Sequence, residues 1–159
     1  MAQLYSLHWR SAYRAAFLVV HDAAAAEDIA QDAFLAAVGA LDRFDRRRPF
    51  GPWLHRIVVN RALDWARREA LRQRVAREQS VFEPLPPPQE IGGEMIAALK
   101  ELPAEQRAVV VLRHLLEYTP GEIAEMLELP RGTVNSRLRR GLDGLREAAA
   151  TELDPEGER

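Results

Sequence analysis

The chain has no cysteine, a single lysine (Lys100) and no apolar run near the length of a bilayer span. Without thiols it forms neither a disulfide framework nor a thiolate metal site, and a reducing compartment suits it. Its apolar runs, such as Ala15–Val20 and Ala108–Leu112, fall far short of the ~20 residues a spanning helix needs. The first residues lack the basic stretch, apolar core and small-residue cleavage site of an export signal, so a cytoplasmic protein without membrane insertion is expected. Glycine-rich loops following a strand, Ser/His/Asp patterns and strand-like alternation are also missing. The expectation is therefore an all-α protein that is not an enzyme and has no catalytic residues, cofactor or metal. With 159 residues, 47% of them hydrophobic, the chain can bury one ordinary core or two small ones.

A net charge of −2 does not announce an anionic partner, but the charge is unevenly spread. Asp42 to Arg77 holds eleven arginines against four acids, and Arg131 to Arg146 holds five arginines against Asp143. Glu78 to Glu128 between them is acidic. Two basic islands suggest two separate anion-binding surfaces, and solvated helix faces are the plainer alternative.

Tyr5, Trp9, Ala12, Tyr13, Ala16, Phe17 and Val20 form one helical stripe. His21-Asp22 interrupts it, with Asp22 placed as an N-cap. A second helix carries Ala26, Ile29, Ala30, Ala33, Phe34, Ala37, Val38 and Leu41 on one side and Glu27, Asp28, Gln31 and Asp32 on the other. Asp42–Pro52 reads as an ordered loop. A third helix begins near Trp53, with Arg56, Asn60 and Arg67 opposite its apolar stripe. Beyond Glu69 the pattern decays into Pro84-Leu85-Pro86-Pro87-Pro88, an extended linker that places the domain boundary within 75–92.

The second half predicts helices over about 93–101, 104–117, 120–128 and 131–148. Thr119-Pro120-Gly121-Glu122 is a capping-box pattern. Val134, Leu138, Leu142 and Leu145 give the last helix an apolar seam, and Asn135, Ser136, Arg139 and Arg140 occupy its other faces. A short helix, a turn and a basic amphipathic helix make 119–146 a helix-turn-helix, whose second helix would enter a major groove; a plain helical hairpin fits the periodicity too.

Glu27-Asp28-Ile29-Ala30-Gln31-Asp32-Ala33-Phe34 resembles one segment of sigma factor region 2, and Phe50-Gly51-Pro52-Trp53 through Asn60 to Asp64 resembles another. Leu102–Arg107, and Glu122-Ile123-Ala124 through Gly132–Leu138, resemble sigma region 4. The resemblance covers roughly residues 5–148, in order, and is to the extracytoplasmic-function (group IV) type of the sigma-70 family. It implies two small helical domains: 1–74 for core RNA polymerase docking and the −10 element, and 93–150 for the −35 element. A linker over 75–92 joins them, and 151–159 is an acidic tail.

On that resemblance, Glu27, Asp28, Gln31 and Asp32 would dock on the polymerase beta-prime clamp, opposite charge giving orientation and association rate. The second domain would meet the beta flap. Phe44, Phe50 and Asn60 would hold a flipped base, with Arg46, Arg47, Arg48, Arg56, Arg61 and Arg67 on phosphates. Trp53 and Trp65 suit the core better than a stacking platform. Arg131 and Thr133 would meet the backbone, Asn135, Ser136, Arg139 and Arg140 the bases; Arg137 fits a phosphate or a structural contact equally. An anti-sigma factor is implied as a further partner.

Three departures from the family pattern stand out. Asn135 replaces a common basic residue, Val38-Gly39 replaces a bulky and a polar one, and Gly141 replaces a frequent alanine, each helical glycine costing up to ~1 kcal/mol. Two other readings fit parts of the chain. His21-Asp22, with His8, His55 and Asp64, is reminiscent of metal-dependent phosphohydrolases, but the dipeptide lies at an interhelical turn. A helix-turn-helix regulator acting without polymerase would leave the acidic helix and the Phe44–Phe50 loop unexplained.

Overall fold

The computed structural model describes residues 2–75 and 91–153. Within them the chain is helical, with no strand, and divides into two compact units, Met1–Pro88 and Gln89–Arg159. Most of the expected linker lies outside the described residues, as does the tail beyond Leu153.

The first unit contains α1 (Ala2–Val20), α2 (Ala23–Gly39), a 3-10 turn at Leu41–Arg43 and α3 (Phe50–Val75). All three helices pack on one another. Alanines at 12, 15, 16, 26, 30, 33, 37 and 62 are buried where they meet, letting the backbones approach closely, and Phe17, Leu18, Leu54, Val58 and Val59 fill the remaining space. The sequence suggests a single stripe on α1. Instead Ala15 to Val20 are all buried, because that end is enclosed by both neighbours. α1 ends at His21, whose φ of 53° is left-handed and whose N–H bonds Phe17 O at 2.8 Å. Asp22 then caps α2, its Oδ1 accepting from Ala25 N–H at 2.9 Å. This commitment accounts for the His-Asp pair as a helix junction, and among the described residues no group of three His, Asp or Glu side chains gathers as a metal set.

The second unit contains α4 (Gly93–Glu101), α5 (Ala104–Val110), a π turn at Val111–Leu115, α6 (Pro120–Leu127) and α7 (Arg131–Leu153). The expected single helix over 104–117 is thus divided. Ala108 to Leu112 are buried without a break across the point where α5 widens into the π turn. The wider turn is closed by Leu116 N–H to Val111 O at 3.0 Å, and Glu117 leaves it at φ 62°. Arg107, half-buried, points its guanidinium at the end of α4 and donates to the carbonyls of Leu99 (2.9 Å), Lys100 (3.2 Å) and Leu102 (2.9 Å). Leu99 O also accepts from the C-cap Leu102 N–H at 3.2 Å, so the guanidinium adds charged donors where the helix's own bonds run out. Burial lowers its pKa.

The capping box forms as the sequence indicates: Thr119 Oγ1 accepts from Glu122 N–H (3.2 Å) and Glu122 Oε1 from Thr119 N–H (3.1 Å). Those bonds hold the Glu122 carboxyl below its usual range. Glu128, left-handed at φ 54°, ends α6, and Leu129 N–H returns to Ala124 O. Gly141 is buried in α7 at a point where a Cβ would stand 2.6 Å from Val110 Cγ2. The expected penalty there is therefore replaced by a requirement for glycine. Leu142 and Leu145 are half-buried, so the tight seam of α7 is Val134, Leu138 and Gly141. Gly39 is the last residue of α2, with nothing within 4 Å of a Cβ, so it does not interrupt the helix.

Candidate nucleic-acid interfaces

On α2, Glu27, Asp28, Gln31 and Asp32 are all exposed, with Gln31 Nε2 donating to Glu27 Oε1 at 3.5 Å. Beside them stand two apolar residues that sequence reading left out of this face: Leu35, 71% exposed, and Val38, 43% exposed. Val38 is therefore not the core residue its stripe suggests. Leu35 lies four residues after Gln31, so the signal was an apolar side chain on the polar stripe. The two line an apolar groove of about 500 Å³ with Leu4, Tyr5, Phe34 and Phe50.

The Phe44–Phe50 loop is built around Asp45. Its Oδ1 accepts from the Arg47 backbone N–H (3.1 Å) and Nε (3.0 Å), its carbonyl accepts from Arg48 N–H (2.9 Å), and the Arg47 bonds pull its carboxyl pKa down. Arg46, Arg47 and Arg48 are exposed. Arg47 is paired to Asp45, but a solvent-exposed pair is worth little and exchanges readily.

Phe44 stacks on Trp53 (centroids 4.5 Å, planes 25° apart), and both meet Phe50 edge-on. All three rings are half-buried. Trp53 thus belongs to the aromatic wall and not, as expected, to the fully buried core. The rings continue through Phe34 to Tyr5 and Trp9, so the wall is anchored on α1 and α2.

Past this wall, α3 presents Arg56, Arg61 and Arg67 exposed and Asn60 half-buried. Asn60 Nδ2 donates to Arg56 O one turn back at 2.8 Å, which orients the amide along the helix. Arg67 pairs with Asp64 at 3.5 Å. Trp65 is half-buried.

α7 starts at Arg131 after Pro130, whose carbonyl accepts from Thr133 and Val134 N–H. Over the buried Val134 and Leu138, the helix exposes Arg131, Asn135, Arg139 and Arg140, with Thr133, Ser136 and Arg137 half-buried on its flanks. Spacing of four puts Arg131, Asn135 and Arg139 on one stripe, and Ser136 and Arg140 on the next. Arg140 also rims a polar groove with Glu101, Asp143 and Glu147. The seven residues expected there therefore share one end of one helix, though not one face.

Two family models match: Sigma-70 region 2 over residues 4–72 and Sigma-70, region 4 over residues 93–143. The ECF RNA polymerase sigma factor SigW of Bacillus subtilis is 28% identical over 91% of this chain and 86% of its own. The ECF RNA polymerase sigma factor SigM of Mycobacterium tuberculosis is 36% identical over 87% of this chain and 71% of its own. Among solved structures, the sigma factor RpoE of Bartonella quintana, in complex with the anti-sigma factor NepR, shares the fold at TM-score 0.73 and 23% identity, covering 94% of this chain and 96% of that one. CnrH, in complex with the cytosolic domain of CnrY, superposes at TM-score 0.66 with 30% identity, covering 98% and 88%. Two helical units with both regions in order, and relatives identical at over a third of positions, lead to one conclusion: the chain belongs to the sigma-70 family of RNA polymerase sigma factors, in its extracytoplasmic-function branch.

Proposed function

We propose that this sigma factor, of the two-region group IV type, binds core RNA polymerase in the cytoplasm and directs initiation at promoters by reading two elements and holding the opened strand. It acts by binding, not by catalysis. The observation that carries the reading is the first unit's surface, where an exposed acidic face on α2 and an arginine-rimmed aromatic wall at the start of α3 stand on one bundle. A regulator of duplex DNA alone needs neither. Residues 1–74 would dock on the beta-prime clamp through Glu27, Asp28, Gln31 and Asp32, with Leu35 and Val38 as apolar anchors. Phe44, Phe50 and Asn60 would receive an unstacked base, and Arg46, Arg47, Arg48, Arg56, Arg61 and Arg67 the phosphates.

Residues 93–150 would meet the beta flap and place α7 in the major groove of the upstream element. There Asn135, Ser136, Arg139 and Arg140 face bases, and Arg131, Thr133 and Arg137 face the backbone. Residues 75–92 would set the reach between the two, and 151–159 would form an acidic tail. The Bartonella quintana RpoE, solved in complex with the anti-sigma factor NepR, supports an inhibitor of that kind for this chain.

Transcription with core polymerase on a random promoter library tests the whole reading. Association with core and initiation from a defined sequence class is the expected result. Tight, sequence-specific duplex binding without core, together with no association with core, would overturn it. Asn60→Ala separates opening from docking: strand opening should fall more than core affinity, and equal loss of both would assign Asn60 to folding.

A further inference from the structure

Once the polymerase- and DNA-facing residues are assigned, one polar side chain in the core of the first unit is left without a role. His55 is 9% exposed, placed on α3 between Leu54 and Arg56. Its Nε2 shares a hydrogen bond with Ser11 Oγ of α1 at 2.6 Å, across a sequence separation of 44 residues. One turn earlier on α1, His8 packs its ring on Phe50 at 5.1 Å and faces Gly51, where a Cβ would stand 3.5 Å from the ring. Two successive turns of α1 therefore hold the first two turns of α3. Those turns carry Phe50, Trp53 and Arg56 and lead directly to Asn60.

An apolar side chain at position 55 would pack here without the cost of burying an imidazole. Burial, aided by His8, pushes the His55 pKa down to about 4. The ring is thus neutral at ordinary pH, with one donor and one acceptor nitrogen, and a serine hydroxyl complements either tautomer. What a histidine adds over a leucine is direction. Apolar contact lets two helices slide or rotate against each other, whereas a short hydrogen bond fixes one atom pair.

We propose that His55 is a positioning residue for strand opening: its hydrogen bond to Ser11 fixes the register of α3 against α1 and thereby sets where Phe50, Arg56 and Asn60 stand. The proposal rests on reading this end of α3 as the strand-opening element. It concerns no contact of His55 with DNA.

The test uses holoenzyme assembled from core polymerase and the full chain, with 2-aminopurine fluorescence at the upstream edge of the bubble reading opening and a competition assay reading core affinity. His55→Leu and Ser11→Ala should each lower the open fraction about five- to tenfold, the worth of one net hydrogen bond. Core affinity and melting temperature should stay near wild type, and the double variant should lose no more than either single one. His55→Gln, whose amide reaches the position of Nε2, should restore opening, and His55→Asn, which is shorter, should not. Unchanged opening in His55→Leu and Ser11→Ala beside a competent wild type would overturn this proposal alone. So would losses that track melting temperature, or additive losses in the double variant. A wild-type holoenzyme that opens no promoter would overturn the strand-opening reading and this proposal with it.

Discussion

The two units hold their functional helices in different ways. In the first, α3 is fixed by side chains distant in sequence: alanine-lined contacts with α1 and α2, a run of aromatic rings, and the Ser11–His55 bond. In the second, α7 leans largely on devices local in sequence, the Arg107 guanidinium on the end of α4, the Thr119–Glu122 box and the left-handed Glu128, with Gly141 as the exception where it approaches Val110 of α5. Ring contacts can part and re-form, as the proposed reception of an unstacked base would require. Caps that satisfy backbone groups give a rigid presentation, which would suit the proposed entry of α7 into a preformed groove.

The sharpest way to break the contrast is Arg107→Ala. It deprives three carbonyls of a charged donor and should cost the second unit about 3 kcal/mol. Hydrogen exchange, read unit by unit, should show protection lost in 93–153 and retained in 2–75. Acid should act in the opposite place. Because the folded pKa of His55 lies at about 4, below the usual imidazole value of 6.5, the unfolded chain takes up a proton first as pH falls. Stability of the first unit should therefore decline between pH 6.5 and 4, by at most about 3 kcal/mol. His55→Gln should flatten the pH 6.5–5 portion of that slope in fluorescence-monitored denaturation.

Gly141→Ala should cost about 1–2 kcal/mol, since its Cβ would press on Val110. The melting transition of the second unit would register it. The smallest effect runs the other way. Gly39→Ala, in open space at the end of α2, should stabilise the first unit by about 0.5 kcal/mol in denaturant titrations.

What was legible beforehand follows the range of the interactions. Asp22 and the Thr119–Glu122 box act within three residues, so their roles could be read directly. The acidic stripe on α2 was equally legible from helical spacing. The division of 104–117 was not, because the helical spacing of apolar residues runs through the π turn without marking it. Gly141 was misread as a weakness for the same reason: its necessity lies on Val110, across the interface. In the candidate site, residue types were visible in the sequence, but the Phe44–Trp53 stack, the Arg47–Asp45 pair and the exposure of Leu35 required coordinates.

The row of rings through the first unit has an optical consequence. All three tryptophans of the chain, Trp9, Trp53 and Trp65, belong to that unit, and none to the second. Trp53 lies face to face with Phe44 at the wall proposed to receive a base, and Trp9 stands at the far end of the row beside Phe34. Tryptophan emission, excited selectively over Tyr118 of the second unit, therefore reports the first unit alone, while far-ultraviolet dichroism sums over both. A single-tryptophan variant retaining Trp53 would carry a built-in, label-free sensor of a base arriving at the wall.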